Sequence, residues 1–227
     1  MSTLSVAYVH LKLSASVSEI EAVQEYLTII GKNYAHELYK QEIYIEVHVE
    51  AGSLKAWVVV AGSLYIGIGQ YGSFRSGIDH LVKDARTFGE AVSSTFIETA
   101  DIDNEKVYRI ERRLGIPGRI KRLLSKIDQI EQADYVSRLA VRDLSDLRLE
   151  VQGIVDDLDS EEDISLLVSN LPNVYRDVRR KRERNRGNIS NDISAMRPDY
   201  YEDFVSDGTL SKFPSETLQS LYLTLKD

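Results

Sequence analysis

"AWVVVAGSLYIGIGQYGSFRSGIDH" spans Ala56 to His80, and its reading decides the fold. Residues 56–69 form an uncharged run of fourteen. A bilayer-crossing helix needs about 20 apolar residues. The wider window, 54–74, reaches twenty-one, with Lys55 near one end where it can snorkel. Read as one helix, the stretch would align Gly69, Ser73 and Gly77 on a small-residue face suited to close helix contact. Its first half, however, is β-branched and follows a turn signal. Half a strand and half a helix do not cross a bilayer as one element. The expectation is therefore a buried strand around Trp57–Val60, a turn eased by glycine, and a helix from about Ser63 to Val92. Gly67, Gly69 and Gly72 also spell G-x-G-x-x-G. That pattern binds a pyrophosphate only inside a parallel sheet, which the downstream sequence does not supply. No Lys-Ser or Lys-Thr pair follows, so it is not a P-loop either.

Working outward, "LSVAYVHLKL" (4–13) alternates as a strand with one buried face. Ile20, Val23, Leu27, Ile30, Tyr34 and Leu38 then recur at steps of three and four, the stripe of an amphipathic helix. Ser16 with Glu19 forms a capping-box pattern at its start. "IYIEVHVE" (43–50) returns to period two, and Gly52 supplies the turn into the next strand. Beyond residue 100 the composition shifts to charge and leucine with helical periodicity. "IPG" (116–118) ends one helix and starts another, and Leu144, Leu147, Val151, Ile154 and Leu158 form a short a/d seam. The fold class read from this is α+β. A β-α-β-β-α domain (1–100) precedes a coiled-coil-like helical hairpin (101–172). A basic helical arm (173–190) and a polar linker with a short C-terminal helix (191–227) follow.

The whole chain carries a net charge of −8, so a nucleic-acid site would have to be a local feature on an acidic body. There is no cysteine, which excludes disulfides and thiolate metal sites. The four histidines show no helical metal-ligand spacing, and no metal or cofactor is expected. The start lacks a secretory signal pattern. A cytoplasmic protein is expected, with peripheral membrane association as the alternative.

Two segments are locally basic. One holds Arg112, Arg113, Arg119, Lys121 and Arg122. Its outline, "RRLGIPGRIKRLL", resembles a helix-turn-helix, although Glu111 stands where a small residue normally lets the helices touch. The other, "RDVRRKRERNR", holds Arg176, Arg179, Arg180, Lys181, Arg182, Arg184 and Arg186, whose guanidinium forks suit phosphates or an acidic protein surface. Arg75-x4-His80 resembles the short signature of HEPN-type ribonucleases. The resemblance implies a proton-transferring His80 and a phosphate-stabilising Arg75. It covers six residues, and Ser76 stands where that family usually carries an amide, acid or imidazole.

These observations lead to a non-catalytic, self-associating interaction protein whose basic arm docks on nucleic acid or an acidic partner. Self-association is assigned to the 69–77 face and the 144–158 seam. The alternatives are a membrane-active oligomer inserting residues 54–74 and a ribonuclease using Arg75 and His80.

Overall fold

The computed structural model describes residues 1–132 and 138–178. Strand β1 (Ser2–Ser14) leads into helix α1 (Val17–Tyr39), which opens on the Ser16–Glu19 capping box. Strands β2 (Tyr44–Glu50) and β3 (Ser53–Gly62) form a hairpin, with Gly52 at φ 100 in the turn. Helices α2 (Leu64–Gly69) and α3 (Phe74–Thr99) follow, then strand β4 (Val107–Arg113) and helix α4 (Gly115–Gln132). Helices α5 (Arg138–Asp156) and α6 (Glu161–Ser169) complete the described chain.

The sheet order is β2-β3-β1-β4, with every neighbour antiparallel. Both β-α-β connections skip over a strand, the split, ferredoxin-like arrangement. One face carries Leu4, Ala7, Val9 and Leu11 from β1 and Leu54, Ala56, Val58 and Val60 from β3. They pack with Val23, Leu27 and Ile30 of α1 and Ile78, Leu81, Phe88 and Val92 of α3. Each such side chain contributes about 1.5–3 kcal/mol of burial before entropy is set against it.

The 56–80 stretch is thus divided among three elements. Val58 and Val60 lie in the core, and no helix among the described residues is long and apolar enough to cross a membrane. The helix expected from Ser63 to Val92 is broken. Ser63 caps α2, Gly72 turns the chain at φ 72, and Ser73 caps α3. Two serine caps ten residues apart encode two helix starts. Gly69, Ser73 and Gly77 consequently do not share one helix. Gly77 is occupied within the chain: a Cβ there would lie 2.8 Å from Ile68 Cα.

Strand β4 is the element that sequence reading placed in a helix. It pairs with β1 from Val6↔Arg113 to Leu11↔Val107, so the sheet recruits residues from beyond 100. Helix α4 runs through "IPG" rather than breaking there. Pro117 falls in its first turn, where a missing N–H costs little. Gly115 makes the β4–α4 corner at φ 56, and a Cβ would collide with the Thr3 carbonyl oxygen.

Helices α4 and α5 form the expected hairpin. Arg119 pairs with Asp157 and Lys126 with Glu150, so numbers rise along one helix as they fall along the other. Leu147, Val151, Ile154 and Leu158 join the same core as the sheet, and Leu144 packs against it. The seam is therefore filled inside one chain. Helix α6 locks this assembly to the sheet through Asp163, which is fully buried. Its carboxylate accepts from Ser2 Oγ (2.8 Å), Ser63 Oγ (3.3 Å) and Tyr65 N (2.8 Å).

Two measurements test this packing. In urea unfolding, Gly77→Ala should cost about 1–3 kcal/mol through overpacking on Ile68. Gly69→Ala, with open space around its Cβ, should change stability by no more than about 1 kcal/mol, toward greater stability. Asp163→Ala should cost about 3 kcal/mol or more, because the Tyr65 amide and two hydroxyls lose their acceptor.

Candidate nucleic-acid interface

The second face of the sheet is where ring and charge chemistry converge. Direct cross-strand partners share a face. Tyr8 lies opposite Trp57, and Trp57 opposite His48. His10 lies opposite Arg109, Tyr8 opposite Glu111, and Val6 opposite Arg113. None of these residues belongs to the helix-side core.

The rings form a ladder across all four strands. His48 of β2 sits 5.4 Å from Trp57 of β3, centroid to centroid, and Trp57 sits 5.0 Å from Tyr8 of β1. Tyr8 is 6.3 Å from His10, and His10 is 4.7 Å from Tyr108 of β4. The centre of the ladder is closed and its ends are accessible. Tyr8 is buried, Trp57 and His10 are half-buried, and His48 and Tyr108 are exposed.

Cations border the rings. Arg113 Cζ lies 5.8 Å from the Tyr8 centroid, and Lys12 Nζ lies 5.9 Å from that of Tyr108. Such placements favour a cation over a π-face. Glu111 is buried and holds both flanking arginines, Arg109 Nε at 2.5 Å and Arg113 Nε at 2.8 Å. It orients the guanidinium groups beside the rings. On this face Lys12, Lys55, Arg109 and Arg113 stand against Glu46, Glu50 and Glu111. That leaves one net positive charge on a chain of net −8. Burial, and secondarily the charges of Lys55 and Arg109, push the His10 pKa below its ordinary value. Its ring is therefore neutral at physiological pH and accepts stacking. Burial, then Glu111, pushes the Tyr8 hydroxyl up.

The residues singled out from sequence fall elsewhere. Arg75 makes a bidentate pair with Asp128 of α4, at 2.6 and 2.7 Å. His80 stacks on Tyr71 at 4.1 Å with an interplanar angle of 6°. The two side chains thus engage different neighbours. The segment resembling a helix-turn-helix begins with strand β4, so its first helix does not exist. Its basic residues are distributed among internal acids: Arg112 with Glu90, Arg113 with Glu111, Arg119 with Asp157, and Lys121 with Asp79. Arg122 also has an interaction of its own. In the second basic segment, Arg176 closes the end of α6 by donating to the Leu171 and Ser169 carbonyls. Arg179, Arg180, Lys181, Arg182, Arg184 and Arg186 lie outside the described residues, as does the expected C-terminal helix. Among the described residues no cluster of three or more His, Cys, Asp or Glu side chains could hold a metal.

Sequence reading missed the ladder. The signal was the alternation of Tyr8 and His10 on β1 and of His48 on β2. The strand pairing brings Trp57 to them, and Tyr108 joins through its ring contact with His10 at the irregularity in the β1–β4 pairing. Comparisons with protein-family models, curated proteins and solved structures gave no match.

The Arg75–Asp128 pair is directly testable. Hydrogen bonding from Arg75 holds the Asp128 pKa below the usual carboxylate range. The pair therefore stabilises the fold above that range, and the contribution is lost as pH falls through the lowered pKa. In an NMR titration, Arg75→Ala should return Asp128 to the ordinary range. The stability change should stay near 1 kcal/mol or less, because the pair is partly exposed.

Proposed function

We propose that the protein is a non-catalytic binding module whose second sheet face takes single-stranded nucleic acid. The observation carrying this reading is the five-ring ladder bordered by Arg109, Arg113, Lys12 and Lys55. Unstacked bases add π-face to π-face on such side chains, and each stacked base is worth about 1–3 kcal/mol. Four-stranded antiparallel sheets with aromatics on their central strands can present this surface to RNA. Here Trp57 lies on one central strand and Tyr8 on the other. The small positive balance makes the electrostatic contribution modest, so stacking should dominate. A duplex, whose bases are already stacked, offers the face much less.

This reading keeps the expectation of a binding protein but moves the site from the C-terminal arm to the sheet. It also suits a chain in which the basic residues of 112–122 are largely occupied by internal acids.

Trp57 is the chain's single tryptophan, so binding reports on itself. Titrating oligo-uridine RNA or oligo-thymidine DNA should quench its fluorescence, while a duplex of equal length should not. The log of the association constant should fall with the log of salt at a shallow slope, set by the few phosphate contacts available. Trp57→Ala and Tyr108→Ala, followed by anisotropy of a labelled oligonucleotide, should each weaken binding by about 1–3 kcal/mol. Arg109→Gln should lower the salt slope by about one unit. Absent binding, or binding indifferent to Trp57, would overturn the proposal.

A further inference from the structure

Strand β2 ends the sheet on its side and, among the described residues, pairs only with β3. Its outer edge is a row of backbone groups able to template another strand. The side chains along it are unequally provided for. Glu50 lies opposite Lys55 and pairs with it at 3.3 Å. Glu46 lies opposite Val59, and its Oε2 is buried without a hydrogen-bond partner. His48, on the same face two residues along, has Glu50 at 3.6 Å. The strand thus carries an acid that its own sheet leaves unmatched, and a neighbouring imidazole able to meet an acid.

We propose that β2 pairs antiparallel with β2 of a second copy of this chain, joining two four-stranded sheets into one of eight. The register follows from parity. In a continuous sheet, opposed residues lie on the same face, so Tyr44, Glu46, His48 and Glu50 oppose only one another. Centring the two-fold on Glu46 opposes it to its own copy, and centring on His48 opposes Glu46 to Glu50. Like charges directly opposite destabilise a sheet. Centring on Val47 sets Glu46 against His48 of the second copy, twice by symmetry. It also sets Ile45 against Val49 on the helix side and keeps the whole strand engaged. Centring on Val49 opposes His48 to Glu50 but runs Glu46 past the end of the strand into the turn. Centring on Ile45 leaves His48 outside. Val47 is therefore the register that charge and length select together. The Val47 carbonyl accepts from Gln24 Nε2 of α1 at 3.2 Å.

This pairing stands independently of the nucleic-acid reading. The test is sedimentation of the full chain across a concentration series. Wild type should be a dimer that dissociates on dilution. His48→Glu opposes Glu46 to a second acid and should raise the dimer dissociation constant about tenfold or more. Combining Glu46→His with His48→Glu exchanges the two side chains, keeps an imidazole opposite a carboxylate, and should restore dimerisation. Circular dichroism of both variants checks that the sheet is intact. In a chain without cysteine, Glu46→Cys with His48→Cys should give a covalent dimer on oxidation. A wild-type chain that stays monomeric, a His48→Glu variant that dimerises unchanged, or an exchanged variant that stays monomeric would each overturn the proposal.

Discussion

The architecture depends on helix α3 lying close against both α2 and the sheet. The chain leaves β3 at one end of the sheet and must reach the far side of β1 to start β4. Only a helix passing beneath the sheet makes that connection. Gly77 permits the first approach, because any side chain there would occupy the backbone of Ile68. Gly89 permits the second, since its Cβ would come to 3.0 Å from Arg112 Cβ on β4. Between these two points α3 buries Ile78, Leu81, Val82, Ala85 and Phe88. The glycine-rich stretch that first suggested membranes or phosphates is a packing device. Within it Gly77 lets α3 close on α2, and Gly89, further along α3, lets the helix reach β4.

The helical hairpin extends the same core rather than forming a second one. Leu147, Val151 and Ile154 of α5 are buried with the residues of α3 and β1. Asp163 fixes where this layer ends. It draws in a hydroxyl from the first strand, a hydroxyl from the cap of α2 and the amide of Tyr65. A buried carboxylate is costly unless its lone pairs are satisfied. Here three donors from two distant segments, the start of β1 and the start of α2, satisfy it, so the node is favourable only when both are in place beside α6. Such a node favours one arrangement of sheet and helices over looser alternatives.

Much of the fold was legible because period-two and period-3.6 patterns were clean. Ile43 to Val49 alternate without exception, and the Ser16–Glu19 box marks α1 to the residue. Strand β4 was not legible, because "VYRIERR" places charge on both parities. Arg112 packs against Gly89 on the helix side, while Arg109 and Arg113 hold Glu111 on the other. A strand whose two faces are both charged mimics a solvated helix. The long helix was over-read because the break at Gln70–Ser73 is only four residues long, and its signals, Gly72 at positive φ and the second serine cap, were passed over. The candidate site was only half visible. Tyr8, His10 and His48 could be placed on strand faces from their spacing. Neither their junction with Tyr108 nor the orienting role of Glu111 follows without the β1–β4 register.

The charge distribution gives that register its consequence. Among the described residues, Arg112, Arg119, Lys121 and Lys126 are matched to acids on helices or at their ends, namely Glu90, Asp157, Asp79 and Glu150. On the sheet, Glu111 is the exception to ordinary pairing: one buried carboxylate serves two guanidinium groups. Two cations are thereby held beside the rings at the expense of one anion. The ladder they border runs from Tyr108 at one edge to His48 at the other. His48 also lies on the strand that, among the described residues, ends the sheet and pairs only with β3. The strand edge and the ladder therefore meet at one residue, His48, whose ring contacts Trp57 of β3.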